Sequence, residues 1–408
     1  MSTPRLVTWL RTRSAGVQAA RERTLASRAD VRQAGVAPNP ILDVEVGTIP
    51  LGATNPPGLG LDDTAHLTIG LSETIELGKR GPRVRGAELR ARASAEDQVG
   101  TLADRLGDAR LALGKAVYAR ARVASLEDNL RSARELGDLE QARRRAGDIA
   151  ESELQRVILD AQAVELDVAH GNAELADTLA ECQAVLTVPC DLDDTGVDVL
   201  DHAAELPAPT AAASLAERSD LRSLDFQRRG ALEDAELARH RAIPDPNVGV
   251  AYTQDWLTIA GNQPRSLTFS VGIPLAIFDT GKHDADKAEA HARELDATAR
   301  GTLEEARAGI AGLASRRKFL EAAVASTVGD AIPRSQSVLE ATRKAYETGH
   351  VGLSDLILVQ RSHRELIARA LDLRFELFQT RNDLRRELGL DAGVAREEIG
   401  GKSGDVHP

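Results

Sequence analysis

Aromatic side chains make up only 3% of this chain, although hydrophobic residues reach 42%. A thick core of interlocking rings is therefore excluded. The apolar content is largely Ala and Leu interleaved with Arg, Glu and Asp, the profile of long helices packed through small residues. No run of about 18 apolar residues occurs, so no transmembrane helix is encoded. An excess of base is also lacking: 51 Lys and Arg stand against 63 Asp and Glu, for a net charge of −12. That balance opposes a phosphate-binding surface, and no nucleic-acid partner is expected. The two cysteines, Cys182 and Cys190, are too few for a disulfide framework. Flanking a helix end, they fit two inert thiols or one local bridge in an oxidising compartment. The stretch from Met1 to Arg11 has neither an apolar core of leader length nor a small-residue cleavage site. Taken literally, it predicts a cytoplasmic protein.

What is present is a duplication. Pro38-Asn39-Pro40 leads into a short alternating run, a Gly/Pro-rich loop, a second alternating run and Gly78-Lys79-Arg80. About 200 residues later, Pro244-Asp245-Pro246 leads through the same series to Gly281-Lys282-His283. A repeat this long marks two tandem structural halves rather than a short solenoid unit. The expected division is a first repeat over 1–210, a second over 211–389, and a disordered Gly-rich tail over 390–408. The first repeat should hold strands at about 41–48 and 66–77 and helices at about 79–136 and 151–187. The second should hold strands at about 247–253 and 266–277 and helices at about 283–347 and 353–388. The helix of the second half is expected to ease at Pro333. At 1.5 Å per residue these helices approach 80–100 Å, roughly, and need partner helices beside them.

The helix-turn-helix joints repeat as well. Gly147, Ser152, Glu153 and Leu154 match Gly349, Ser354, Asp355 and Leu356. The four strand segments alternate apolar and polar, which gives each one dry and one wet face. Asp43, Glu45, Thr68, Ser72, Thr268 and Ser270 fall on the wet face. About eight strands are needed to close a barrel, and an open sheet of four leaves edges and an apolar face uncovered. A barrel built from several chains, apolar outside and polar inside, resolves this. Tyr252 and Trp256 suit its aromatic belt. A small sheet packed on its own helices is the soluble alternative.

In this order, with Ile75-Glu76-Leu77-Gly78-Lys79-Arg80 opening the long helix, the chain resembles the TolC-type outer membrane efflux protein family over roughly residues 14–389. The stretches from Ser72 to Arg80 and from Gly272 to Asp279 look most like its CzcC-like heavy-metal efflux branch. The resemblance implies a mainly α fold with a small β part: a long α-helical coiled-coil barrel, and four strands per chain completing a trimeric barrel of about twelve strands. It implies a homotrimer lodged in outer-membrane lipid, with its helical barrel in the periplasm. The chain would be a passive, non-enzymatic exit duct of a tripartite proton-driven efflux system. Its partners would be a periplasmic adaptor (membrane fusion) protein and an inner-membrane pump of the RND type. Divalent heavy-metal cations are the leading cargo, with drug efflux or type I secretion as the alternative.

By the same resemblance, the turns at Gly147 and Gly349, with Ser152 and Ser354, would be adaptor-docking tips. Asp355 takes the place of a constriction carboxylate, with Glu153 its counterpart in the first half. A second carboxylate position of the family holds Leu358. Leu67, Ile69, Leu71, Leu267, Phe269 and Val271 would face lipid. An outer-membrane address requires a start codon upstream of Met1 or a truncated sequence. A soluble coiled-coil scaffold is the reading of a different class. No cofactor is implied. His283 and His291 lie among acids at a helix start, and are expected to be solvated surface rather than metal ligands.

Overall fold

A computed structural model describes residues 3–192, 196–202, 204, 206, 215, 218–257 and 263–400. In chain order these form α1 (Thr3–Arg13), α2 (Ala15–Ala34), β1 (Ile41–Gly47), α3 (Leu61–Thr64), β2 (His66–Thr74), α4 (Arg80–Ala146), α5 (Glu151–Leu186), α6 (Val199–His202), α7 (Ser219–Arg239), β3 (Asn247–Asp255), β4 (Arg265–Gly272), α8 (Lys282–Ser326), α9 (Ile332–Glu347), α10 (Leu353–Glu387) and α11 (Leu390–Gly400). Two compact units emerge, one of Met1–Glu22, Glu96–Arg222 and Arg300–Pro408, the other of Arg23–Ala95 and Ser223–Ala299. Each draws on both halves of the chain.

The second unit carries the sheet, an antiparallel meander in the order β1-β2-β3-β4. β2 and β4 stop at Thr74 and Gly272, short of the expected 77 and 277. At β2 the Leu77 N–H is diverted to the Asp245 carboxylate at 2.9 Å, and beyond β4 Pro274 has no N–H to give a ladder. The Gly-Lys motif proves to be a junction device. Lys79 Nζ lies 2.6 Å from the same Asp245, and Arg83 grips Glu76 while donating to the Ala34 carbonyl at 2.8 Å. At Gly281 an added Cβ would strike the Ala238 carbonyl oxygen, so only glycine fits.

In the first unit, the described core gathers Leu6, Val7 and Leu10 of α1 with Leu102, Leu106 and Ala109 of α4, Cys182 of α5, Leu200 of α6, Phe378 of α10 and Ala395 of α11. Their spacing of three and four residues is the stripe of an amphipathic helix. Small residues let the helices close up: a Cβ on Gly114 would sit inside the Phe378 ring. Cys182 and Cys190 are joined by a disulfide with Cα atoms 6.1 Å apart. Cys182 is fully buried, so the bridge fastens the chain beyond α5 to the core.

Residues 390–400, expected to be disordered, instead form α11, while 401–408 lie outside the described residues. The cause is a buried charge. Asp391, 2% exposed, takes both Arg110 guanidinium nitrogens at 3.0 and 3.1 Å and is also met by Arg385 at 3.2 Å. The expected easing of the long second-half helix is a π segment, Thr327–Ala331, after which Pro333 occupies the first turn of α9. The helix runs on unbroken through this π turn, which accommodates a proline that has no N–H to give the ladder.

Candidate functional site

The two helix-turn-helix joints, both in the first unit, are built to one plan. At the end of α4 the Gly147 N–H donates to the Arg144 carbonyl at 3.1 Å and the Asp148 N–H to Arg143 at 3.0 Å. At the end of α9 the Gly349 N–H donates to Tyr346 at 3.0 Å and the His350 N–H to Ala345 at 2.8 Å. This crossed pair of bonds is a Schellman stop, which needs a left-handed residue. Gly147 and Gly349 supply it, at φ +87° and +74°.

The next helix then starts without a side-chain cap, because Ala150 and Gly352 hold the N-cap positions. Glu153 and Asp355 reach back instead, accepting the Ala150 and Gly352 N–H groups at 3.3 and 3.4 Å. Each carboxylate therefore satisfies a helix-start donor and complements the positive end of the helix. Asp355 remains exposed and Glu153 half-buried. Ser152 is exposed, while Ser354 Oγ accepts from Arg156 at 2.7 Å. Leu358, 64% exposed, lies three residues beyond Asp355.

Behind the turns the helices meet through Leu136, Val157, Tyr346, Leu353, Leu356 and Ile357. Two buried carboxylates interrupt this apolar contact. Asp160 of α5 accepts from Arg361 at 2.7 Å and from Arg364 at 3.0 Å. Glu140 of α4, with no exposed surface, takes the Tyr346 hydroxyl at 2.7 Å, and Arg143 stands 3.6 Å away. Burial, and then the bond to Glu140, push the Tyr346 hydroxyl pKa up. Sequence reasoning passed over both acids. Their signal was positional: Asp160 sits in the Val157–Val164 stripe and Glu140 four residues after Leu136, where an apolar side chain is due.

In the second unit, strand register sorts the sheet into two chemically different faces. One face has complete apolar rows, Val44–Ile69–Tyr252–Leu267 and Leu42–Leu71–Val250–Phe269. Above them runs Val46–Leu67–Gln254–Arg265, and below them Glu73–Val248–Val271. The other face has Glu45–Thr68–Thr253–Ser266, Asp43–Gly70–Ala251–Thr268 and Ile41–Ser72–Gly249–Ser270. On it the Thr68 and Thr253 hydroxyls pair at 2.9 Å. All six residues expected to face lipid fall on the apolar side. Leu71, Leu267, Phe269 and Val271 are at least half exposed, Phe269 at 77%. Such surface costs roughly 25 cal/mol per Å² in water.

His283 and His291 join no metal cluster; among the described residues no group of three potential ligands converges. His291 Nδ1 instead meets Glu294 at 3.1 Å. No described helix is long and apolar enough to cross a membrane.

Comparison with known proteins agrees with this geometry. Residues 211–390 match the family model described as outer membrane efflux protein. No curated protein matches the sequence. Among solved structures, the fold is that of VceC, an outer membrane protein of Vibrio cholerae, at TM-score 0.75 and 18% identity, covering 95% of this chain and 96% of that one. The CmeC outer membrane channel of Campylobacter jejuni gives TM-score 0.78 and 14% identity, with 99% and 90% covered. The open-state MtrE outer membrane channel of Neisseria gonorrhoeae gives 0.76 and 18%, with 95% and 88% covered.

Proposed function

We propose that the chain is a TolC-type outer membrane efflux protein, a reading supported by the match of residues 211–390 to the outer membrane efflux protein family model, and that three copies assemble into the exit duct of a tripartite, proton-driven system. On this reading the chain is a passive outer-membrane efflux channel that performs no catalysis. The observation that carries it is the open four-stranded meander with sorted faces. Its β1 and β4 edges lack neighbours within the sheet, and four strands cannot close on themselves. Copies joined β4 to β1 give each edge a partner, place the apolar rows in lipid and leave a hydrophilic lumen. Leu67, Ile69, Leu71, Leu267, Phe269 and Val271 are then the lipid face. Residues 1–210 and 211–389 are read as two structural repeats.

Divalent heavy-metal cations suit this lumen. Its strand residues include Asp43, Glu45 and Asp255 but no Lys or Arg, and carboxylate-lined pores favour cations. Drug or protein export is the reading to be tested against it. Gly147, Gly349, Ser152 and Ser354 form the tips offered to a periplasmic adaptor bound to an RND-type pump. Asp355 and Glu153 form the constriction, since their capping bonds hold each carboxylate at a fixed place on its turn.

Asp355→Ala should raise single-channel conductance in planar bilayers or weaken block by multivalent cations. No change in either removes the constriction role. Cargo is read separately: deleting the gene should lower tolerance to zinc, cobalt, cadmium, nickel or copper. Unchanged metal tolerance with a rise in drug sensitivity would overturn the metal reading.

A further inference from the structure

The junction at the end of β2 has a counterpart that one chain cannot complete. At β2 the Ile75 N–H donates to the Pro246 carbonyl at 2.9 Å. The Leu77 N–H donates to Asp245 Oδ1 at 2.9 Å and Lys79 Nζ to Asp245 Oδ2 at 2.6 Å. The end of one strand is thereby pinned to the Pro-Asp-Pro that opens its neighbour, β3. The Lys79 and Asp245 side chains are largely buried there, at 16% and 19% exposure.

The duplication supplies the same parts again. Pro38-Asn39-Pro40 opens β1, and Gly281-Lys282 follows β4. Each lysine comes after a left-handed glycine, Gly78 at φ +75° and Gly281 at φ +72°. The insertion Phe278-Asp279-Thr280 is closed off locally, the Gly281 N–H donating to the Asp279 carboxylate at 2.9 Å. Within one chain these parts stay apart, because β1 and β4 are opposite edges of the sheet. Asn39 and Lys282 are both exposed, and among the described residues neither side chain has a partner.

The repeat also sets a register. Thr74 pairs with Asn247, and their counterparts are Pro274 and Ile41. Carried to the two edges, this places Val44 opposite Val271 and Glu45 opposite Ser270 of a neighbouring copy. Apolar then meets apolar and polar meets polar, which a slip of one residue would destroy. Pro274 does not obstruct the pairing. The Ile75 N–H points to β3, so by alternation that of Thr74 points away, and the missing Pro274 donor is on the side away from the neighbouring copy.

Resting on the multi-chain barrel reading, we propose that Lys282 of one copy donates to Asn39 Oδ1 of the next, completing between chains the junction that Lys79 and Asp245 make within one. The Leu275 N–H donates to the neighbour's Pro40 carbonyl, as Ile75 does to Pro246. The partner is a second copy of this chain, and each junction is incomplete without it. The change from aspartate to asparagine follows from this division. Asp245 always has its cation, whereas Asn39 waits for assembly, and an amide leaves no unpaired carboxylate meanwhile.

The test uses the full chain in isolated outer membranes. Glu45→Cys with Ser270→Cys is a non-hydrogen-bonded pair, with Cα atoms about 4.5 Å apart, within disulfide range. Oxidation should link neighbouring copies through it. Asn39→Asp should raise the ratio of heat-resistant oligomer to monomer about threefold at low salt. That gain should vanish at high salt and in the Lys282→Gln background. Parent oligomer without the cross-link in the double-cysteine variant overturns the junction and leaves the barrel standing. So does an Asn39→Asp gain that is absent, or that persists with Lys282→Gln. A parent protein that forms no oligomer overturns the barrel reading and the junction with it.

Discussion

Phe378 shows how single side chains set the spacing of these helices. It is fully buried, stacks in series with Phe375 and Tyr118 at centroid distances of 6.2 and 4.7 Å, and needs Gly114 opposite. Replacing a mid-helix glycine by alanine ordinarily stabilises by about 0.5–1 kcal/mol. Here the new methyl would lie on a ring held from behind, and overpacking costs about 1–3 kcal/mol. Overpacking wins, so Gly114→Ala should lower the midpoint of denaturant unfolding. The same cluster carries a pH signature. Burial, then the 2.5 Å bond that Tyr118 donates to Asp372, push the Tyr118 hydroxyl up to about 12 from 10. A raised folded-state value means the contribution is fully present below pH 10, the unfolded value. It is lost as pH rises from 10 towards 12. Absorbance at tyrosinate wavelengths should show two late-titrating groups, Tyr118 and Tyr346, of which one is lost in Tyr118→Phe, and the stability of that variant should fall less across this window.

At the scale of elements, α11 shows what pattern alone could not supply. Its sequence, Leu390 to Gly400, holds two glycines and lacks a broad apolar stripe, so nothing local calls for a helix. It is held by Asp391 pairing with Arg110, 281 residues away, a contact invisible to any local window. Removing one member of a buried pair strands the other charge, at about 3–5 kcal/mol. Asp391→Ala should therefore undock α11, seen as protease cleavage after residue 390. Arg110→Met with Asp391→Leu should restore protection. The other elements were legible because their determinants are local. Period-2 alternation marked four strands, prolines marked the starts of β1 and β3, and Gly147 and Gly349 marked the turns. Strand ends were less so, since Asp245 captures the Leu77 N–H from outside the strand. Of the candidate site, repetition paired Gly147 with Gly349 and Glu153 with Asp355, while their expected roles came from the family resemblance. Asp160 and Glu140 were not found, because an acid within an apolar stripe declares itself only once its arginine or tyrosine partner is known. The helix-starting role of Glu153 and Asp355 also bears on their identity: either acid at the third position caps a helix, so the cap alone explains why both halves keep a carboxylate.

For the whole molecule, the decisive property is that two adjacent residues on one strand fall on chemically opposite faces of the sheet. Thr268 pairs with Ala251 on the polar face and Phe269 with Val250 on the apolar face. In a soluble sheet packed on its own helices, the apolar side would be buried in protein and the polar side wet. In an assembled barrel, the apolar side meets lipid and the polar side lines the lumen. An arginine distinguishes these arrangements. On a lipid face near the bilayer midplane it costs about 2–4 kcal/mol, whereas in a lumen it alters the field without that cost. Phe269→Arg should sharply reduce heat-resistant oligomer in isolated outer membranes. Thr268→Arg should assemble at the parental level but lower cation conductance, since three added charges would oppose Asp43 and Glu45. If both variants assemble equally and conduct alike, the two faces share one environment and the barrel is wrong. Opposite responses from neighbouring residues would follow from the period-2 geometry of β4 alone, with no change in fold required.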